Sequence, residues 1–317
     1  MYSGFYHSVI GASHTAKGTV CQDFSDCKVY ENYALAAVAD GHGSKKHFRS
    51  DVGARMAVQA TIQTLAGFYA DAPAFEESFE RDPRRLIRKI EKQIISRWDR
   101  AILRHLQENP FTALERAPFT EEEFEDIRTE SVYGTTLIAV VYGRKFTFGI
   151  QIGDGSMVII DADAQAEMPI VDDESCPANL TASMSNSNAI DLFNSFYTMD
   201  TPLAVFVSTD GLYTSFRSSE DFLDYHTIIA SHLGQLGEFD KVITRNLVKR
   251  TNFGTQDDIS MAGAFDPQFL AAHIQTLRTQ VEKNKRRAEM RRAEQAARIQ
   301  KQKLKNQLRR NPNLQVE

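Results

Sequence analysis

The stretch Val38-Ala39-Asp40-Gly41-His42-Gly43-Ser44 decides how this chain is read. An apolar run from Tyr33 to Ala39 stops at an aspartate, followed by two glycines around a histidine. Runs of that length bounded by glycine predict a buried strand. The carboxylate of Asp40 then emerges at a strand end, where the backbone turns. Glycine at 41 and 43 lets that backbone pass close to a ligand. A hard divalent cation takes oxygen donors, which a carboxylate beside an open carbonyl supplies. The same letters also spell an ordinary Asp-Gly turn. The rest of the chain repeats the pattern, and the repetition separates the two readings.

Working outward, Phe5 to Ser13 predicts a strand, Thr15 to Thr19 a polar connection, and Asp26 to Tyr30 a second strand beside Cys21-Gln22-Asp23. After the Asp40 stretch, Ser50 is a candidate N-cap, with Val52, Met56 and Ala60 at helical spacing behind it. A long helix is expected from Arg84 to Gln107. Its apolar face is Ile87, Ile90, Ile94, Trp98 and Ile102, and Asn109-Pro110 ends it. Phe111 to Thr129 is acidic and poorly periodic, a loop or a short exposed helix. Strands follow at Tyr133 to Tyr142, Lys145 to Ile152 and Met157 to Asp161. Gly153-Asp154-Gly155-Ser156 between the last two also has the letters of a hairpin turn. Asp163 to Met199 is a polar excursion of the length that lids and recognition segments have. Leu203 to Val207 is a second buried strand running into Asp-Gly, at Asp210-Gly211. Helices are expected at Glu220 to Leu233 and Phe239 to Arg250. Asp257-Asp258 then opens a last strand, Ile259 to Phe265.

The 317 residues are 42% hydrophobic, ample for a core. No apolar run approaches the ~18 residues that span a bilayer, and no basic-then-apolar leader is visible at the N-terminus. Cys21, Cys27 and Cys176 lack metal-ligand spacing, which points to reduced thiols and a cytoplasmic location. The net charge of −5 hides an asymmetry. Arg278 to Arg310 holds 13 basic and 3 acidic residues, leaving 24 basic and 39 acidic elsewhere. An acidic body carries a basic tail.

Asp23, Asp40, Asp210 and Asp257 each border a candidate strand, and Asp154 lies between two. Carboxylates gathered at one point repel unless a cation neutralises them. Gathered around two divalent ions, they form a hydrolytic site in which water is activated and a phosphoryl oxygen clamped. All-oxygen ligation suits Mg²⁺ or Mn²⁺ over Zn²⁺. His42, two residues from Asp40, is placed to protonate a departing alkoxide.

Ala39-Asp40-Gly41-His42-Gly43, Gly134-Thr135-Thr136, Ile152-Gly153-Asp154, Ser208-Thr209-Asp210-Gly211 and Gln256-Asp257-Asp258 resemble the ordered motifs of type 2C metal-dependent serine/threonine protein phosphatases. The resemblance spans roughly Tyr6 to Phe265. It implies an α+β fold, a four-layer αββα sandwich of two antiparallel sheets flanked by helices. Residues 1–266 form that domain, and 267–317 form a basic helical tail. It also implies hydrolysis of phosphoserine and phosphothreonine at two Mn²⁺ or Mg²⁺ ions, with a third, weaker ion. By this match Asp40 bridges the ions and the Gly41 carbonyl binds one. Asp210 and Asp257 complete the inner ligands, Asp23 lies near the ions, Asp154 serves the third, and His42 is the general acid. Asp258 is not among the ligands, so its replacement is expected to be mild.

The first motif departs from the family's usual form. Gly18 stands where most members have a phosphate-binding arginine, and Cys21-Gln22-Asp23 replaces Asn-Glu-Asp, similar to a bacterial branch. Arg49 is the candidate replacement for the phosphate contact, with an exposed helix-start residue as the alternative. A catalytically inactive relative that binds phosphoprotein or regulates a kinase is the alternative function. Leu270, Ile274, Leu277 and Val281 predict that the tail starts as a helix packing on the body or on another chain. Its basic remainder is expected to dock an acidic partner: a protein, nucleic acid, an anionic membrane surface, or the acidic body itself. Removing residues 278–317 is expected to spare hydrolysis of a small aryl phosphate, because every candidate ligand precedes them.

Overall fold

A computed structural model describes residues 1–170 and 181–310. Cys176 and the middle of the polar excursion lie outside them. The strands are β1 (Ser3–Val9), β2 (Asp23–Val29), β3 (Tyr33–Asp40), β4 (Leu137–Gly143), β5 (Thr147–Ile152), β6 (Ser156–Ile160), β7 (Ala166–Glu167), β8 (Asn194–Thr198), β9 (Ala204–Ser208) and β10 (Ile259–Phe265). The helices are α1 (Ala12–Lys17), α2 (Ser50–Phe68), α3 (Ala72–Arg81), α4 (Pro83–Glu108), α5 (Ala113–Arg116), α6 (Glu121–Glu125), α7 (Thr129–Val132), α8 (Asp210–Tyr213), α9 (Ser219–His232), α10 (Leu236–Arg250), α11 (Pro267–Ala272) and α12 (Ile274–Arg310).

Two five-stranded antiparallel sheets result, in the orders β1-β10-β9-β6-β7 and β2-β3-β4-β5-β8. Their strands read as continuous apolar runs because both faces are covered. On β3, Ala34, Ala36 and Val38 face the opposite sheet, meeting Met157, Val205, Val207 and Ala262. Leu35, Ala37 and Ala39 turn the other way, into the core built with α2 and α4. Phe206, Ile259 and Met261 pack outward with residues of α9 and α10. Three apolar interfaces between four layers give the αββα sandwich.

The α4 stripe Ile87, Ile90, Ile94, Trp98 and Ile102 is buried at 1% exposure or less. Trp98 Nε1 also donates to the Gly53 carbonyl at 3.1 Å, satisfying the one polar group that this ring brings inside. Several local expectations change. The strand expected over Phe5 to Ser13 ends at Val9, with Ala12 and Ser13 in α1, and the polar excursion Asp163 to Met199 contains β7 and β8. Thr15 to Thr19 includes the end of a short helix, α1, rather than a plain connection. Ser50 is the first residue of α2 and Arg49 its N-cap, without a side-chain cap. The Ser50 hydroxyl is engaged elsewhere, accepting from Gln22 Nε2 at 2.8 Å.

The start of the tail is part of the body. Leu270 and Leu277 join the outer core, and Gln280, Val281 and Asn284 are buried. Arg291 bridges Asp221 and Asp224 of α9 at 3.0 and 3.1 Å. Of the two placements expected for this first part, packing on the body is the one observed. Cutting at residue 278 removes the buried Val281 and Asn284, so a cost in stability is expected alongside the spared hydrolysis of a small aryl phosphate. From Arg292 to Lys303 the helix is exposed on every side. No helix among the described residues is long and apolar enough to cross a membrane.

Candidate active site

Both sheets deliver carboxylates to one end of the sandwich. β2 begins and β3 ends there, and their register sets Asp23 opposite Asp40. In the other sheet, β9 runs into Asp210 at the start of α8, and Asp257 and Asp258 lead into β10. Ser208 pairs with both Met261 and Ser156, so the start of β6 lies at the same end. β5 and β6 belong to different sheets, so Gly153-Asp154-Gly155 is a crossing between layers rather than a hairpin. Gly153 makes that crossing at φ +107°, a region closed to most side chains. The crossing leaves Asp154 facing Asp210, whose carboxyl it repels.

The charges of this cluster do not balance. Asp23 is 6% exposed. Burial pushes its carboxyl well above the usual range, Thr209 Oγ1 opposes by donating to it at 2.7 Å, and the charges of Asp258 and Asp210 push it further. Asp40 is raised by burial, then by Asp23 and Asp210. Asp210 is raised by burial and then by Asp154. Among the described residues these side chains meet in pairs, and no three close on one point at ligand distance.

Carboxyls raised by burial and mutual repulsion are carboxyls lacking a balancing cation. The Gly41 carbonyl accepts no hydrogen bond among the described residues, while its N–H donates to the Gln22 carbonyl at 3.1 Å. A side chain at Gly41 would meet the Gln22 and Ser50 carbonyl oxygens at 2.7 Å, so only glycine closes this turn. Unsatisfied oxygens of one chemical type fit Mg²⁺ or Mn²⁺.

His42 follows on the same turn, its N–H bonded to the Gly134 carbonyl at 3.0 Å. Its ring lies 4.9 Å from that of His47, whose Nδ1 is anchored on the Ser131 carbonyl. Burial and then His47 lower His42 to about 4, with Asp154 opposing. The imidazole is therefore neutral at pH 7 and gains basicity when negative charge arrives beside it. Lys46 is the cation acting on both histidines.

Arg49 is not a phosphate ligand in this arrangement. Its five N–H donors are all used: Glu115 takes two at 2.6 and 2.9 Å, and the Asn109 carbonyl, Tyr133 hydroxyl and Pro110 carbonyl take the others. The guanidinium also lies over the Phe111 ring at 4.8 Å. It clamps residues 109–115 to the turn after His42 and has nothing left for substrate.

The expectation for Asp258 changes as well. Its carboxylate is buried and accepts from the Gly11 and Gln22 N–H groups, each at 2.6 Å, and contacts His14 Nδ1 at 3.0 Å. Gln22 in turn reaches the His42 carbonyl at 3.3 Å. Thr135 and Thr136 pin the backbone of Asp40, donating to its carbonyl at 2.8 Å and accepting from its N–H at 3.0 Å. These positioning residues sit inside the quoted motifs, yet their roles depend on partners far away in sequence.

Residues 10–248 match the family described as Protein phosphatase 2C. Solved structures share the fold. PppA, described as a regulatory component of the type VI secretion system in Pseudomonas aeruginosa, is 16% identical with TM-score 0.52, covering 83% of this chain and 97% of its own. The serine/threonine phosphatase of S. agalactiae is 17% identical with TM-score 0.51, covering 84% and 99%. The catalytic domain of the phosphatase PstP, solved with two manganese ions, is 17% identical with TM-score 0.50 and the same coverage. No curated protein matches the sequence. With three quarters of its length inside the family's match and the acidic motifs converging at one end of the sandwich, the chain belongs to the protein phosphatase 2C family.

Proposed function

We propose that this chain is an active, metal-dependent phosphatase of phosphoserine and phosphothreonine in proteins. The observation that supports it best is the convergence of Asp23, Asp40, Asp154 and Asp210 from both sheets, uncompensated in charge, beside His42. Asp40, Asp210, Asp257 and the Gly41 carbonyl would hold two Mn²⁺ or Mg²⁺ ions, with Asp23 behind them and Asp154 serving a third. When bound, the ions supply Lewis acidity toward the phosphoryl group and a nucleophilic water. The chain's own residues do the remaining work. Thr135 and Thr136 fix the Asp40 backbone, and Gln22 fixes the turn that carries His42. The dianionic phosphate ester raises the basicity of His42 as it approaches. The imidazole can then hold a proton and pass it to the departing seryl or threonyl oxygen. Beyond Arg292 the basic helix serves as an arm for an acidic partner.

Hydrolysis of phosphothreonine peptides with Mn²⁺, compared with chelator, tests the reading. Metal-dependent turnover that Asp40→Asn abolishes in a folded protein is expected. Absence of turnover with retained phosphopeptide binding would instead make the chain a phosphoprotein-binding relative.

A further inference from the structure

We propose that the groove between α9, the end of α10 and the tail helix α12 binds the phosphate group of a small phosphorylated molecule, anchored on Arg250. The groove encloses about 820 Å³ and lies behind α8, on the side of the loop 215–218 that follows it. Arg250 is sandwiched there, its guanidinium carbon 3.8 Å from the Phe216 ring centroid and 4.4 Å from that of Tyr225. Nε donates to Asn246 Oδ1 at 3.0 Å and Nη1 to Ser215 Oγ at 3.2 Å. Of five donors, three make no well-formed hydrogen bond among the described residues, the Tyr225 hydroxyl lying beside the guanidinium.

No carboxylate among the described residues answers this cation. The acids of the facing helix are taken by the tail, Asp221 and Asp224 by Arg291, and Asp224 also by Arg287 at 3.7 Å. Arg217 and Arg292 reach the rim without an ion pair among the described residues, offsetting the exposed Glu220 and Glu289 there. Burial holds the Arg250 guanidinium below its ordinary value. A second group points the same way. The Tyr225 hydroxyl, on a residue 7% exposed, is buried against the Arg250 guanidinium and makes no well-formed hydrogen bond among the described residues. Buried donors without acceptors are costly, and folded proteins rarely keep them without a ligand or water.

The donor set selects the ligand. Three guanidinium N–H groups and a phenol exceed what a bidentate carboxylate pairing uses, and they suit the terminal oxygens of a phosphate monoester. Phe216, Tyr225 and Ile228 leave apolar wall for an aromatic or sugar body, and the volume admits a mononucleotide-sized molecule.

Calorimetric titration of the full chain, with chelator present to keep cations out of the catalytic cluster, tests this. The probes are inorganic phosphate, adenosine monophosphate and benzoate. Both phosphates are expected to bind the wild type, with benzoate much weaker. Arg250→Gln is expected to weaken phosphate binding roughly tenfold or more. Tyr225→Phe, which removes only the hydroxyl, is expected to weaken it severalfold, and it decides the matter should Arg250→Gln fail to fold. Absence of phosphate binding to the wild type overturns the proposal, as does undiminished binding in folded Arg250→Gln or in Tyr225→Phe. Benzoate binding as tightly as phosphate overturns the assignment of the ligand.

Discussion

Asp258→Asn separates the structural account of the acidic motif from the motif alone. Asp258 is 3% exposed. One of its oxygens accepts from Gly11 N and contacts His14 Nδ1, and the other accepts from Gln22 N. An asparagine keeps one acceptor oxygen and turns an NH₂ donor toward the N–H on the other side. At least one hydrogen bond to a charged acceptor is lost, about 1.5–3 kcal/mol, and the stranded donor adds to it. A total of about 3 kcal/mol moves the urea midpoint down by roughly 1 M for a slope of about 3 kcal/mol/M. Asp257→Asn is the control. Asp257 is exposed and, among the described residues, its side chain accepts only from Asp258 N, at 2.9 Å, so its stability effect should stay within about 0.5 kcal/mol. The two variants are therefore expected to divide their effects, stability at 258 and metal-dependent turnover at 257. Turnover should also fall in Asp258→Asn, because Gln22 carries the displacement to the Gly41 N–H and the His42 carbonyl. Equal urea midpoints for the two variants would refute the bracket assigned to Asp258.

His42→Ala is expected to slow hydrolysis of alkyl phosphate esters roughly 10²-fold while sparing an activated aryl phosphate, whose leaving group needs no proton. Equal losses on the two substrates would leave His42 a structural role. The Glu115 carboxyl is held down to about 2, first by its hydrogen bond to Arg49. A depressed carboxyl stabilises the fold above its unfolded value and loses that contribution as pH falls through the folded one. The stability gap between wild type and Glu115→Gln, read by denaturant titration, should therefore narrow between about pH 4.5 and 2. Truncation after Arg292 is expected to keep the fold and aryl phosphatase activity while weakening low-salt binding to acidic partners. Truncation before Arg278 is expected to lower stability as well, and equal melting of the two forms would contradict the packing of Val281 and Asn284.

Periodicity made much of the fold legible. Tyr33 to Ala39, Ile259 to Phe265 and the α4 stripe are decided by what each side chain touches within its own element, and local sequence carries that information. The ends of β3 and β9 were equally legible, because Asp-Gly interrupts an apolar run abruptly, whereas the expected strand to Ser13 stops at Val9. Less legible was anything set by a distant partner. Arg49 reads as an exposed helix-start cation until Glu115, 66 positions later, takes its guanidinium. Ser50 has the letters of a cap, but Gln22 claims its hydroxyl. Gly153-Asp154-Gly155 has the letters of a hairpin, and only the assignment of β5 and β6 to different sheets makes it a crossing. Asp257 and Asp258 are identical letters with opposite surroundings, which a single sequence has no means to distinguish.

The same long-range contacts bear on the slot where the resemblance expects a phosphate-binding arginine. Gly18, in that slot, closes α1 at φ +69°, a left-handed conformation that a side chain strains. An arginine there would stand at a helix stop that the backbone needs. The following Cys21-Gln22-Asp23 is likewise committed: Gln22 to Asp258 and Ser50, Asp23 to Thr209. With Arg49 fully paired, Lys46 is a cation whose charge acts on the His42 ring. A lysine binds phosphate as a point charge, without the fork that orients an arginine contact. On this reading the metal ions carry more of the phosphate affinity than in relatives with the arginine. KM for a phosphopeptide should then rise steeply as Mn²⁺ is lowered, and Lys46→Met should raise KM severalfold with little change in kcat. A KM independent of Mn²⁺ across the range where turnover falls would show that a protein group, not the ions, holds the phosphate.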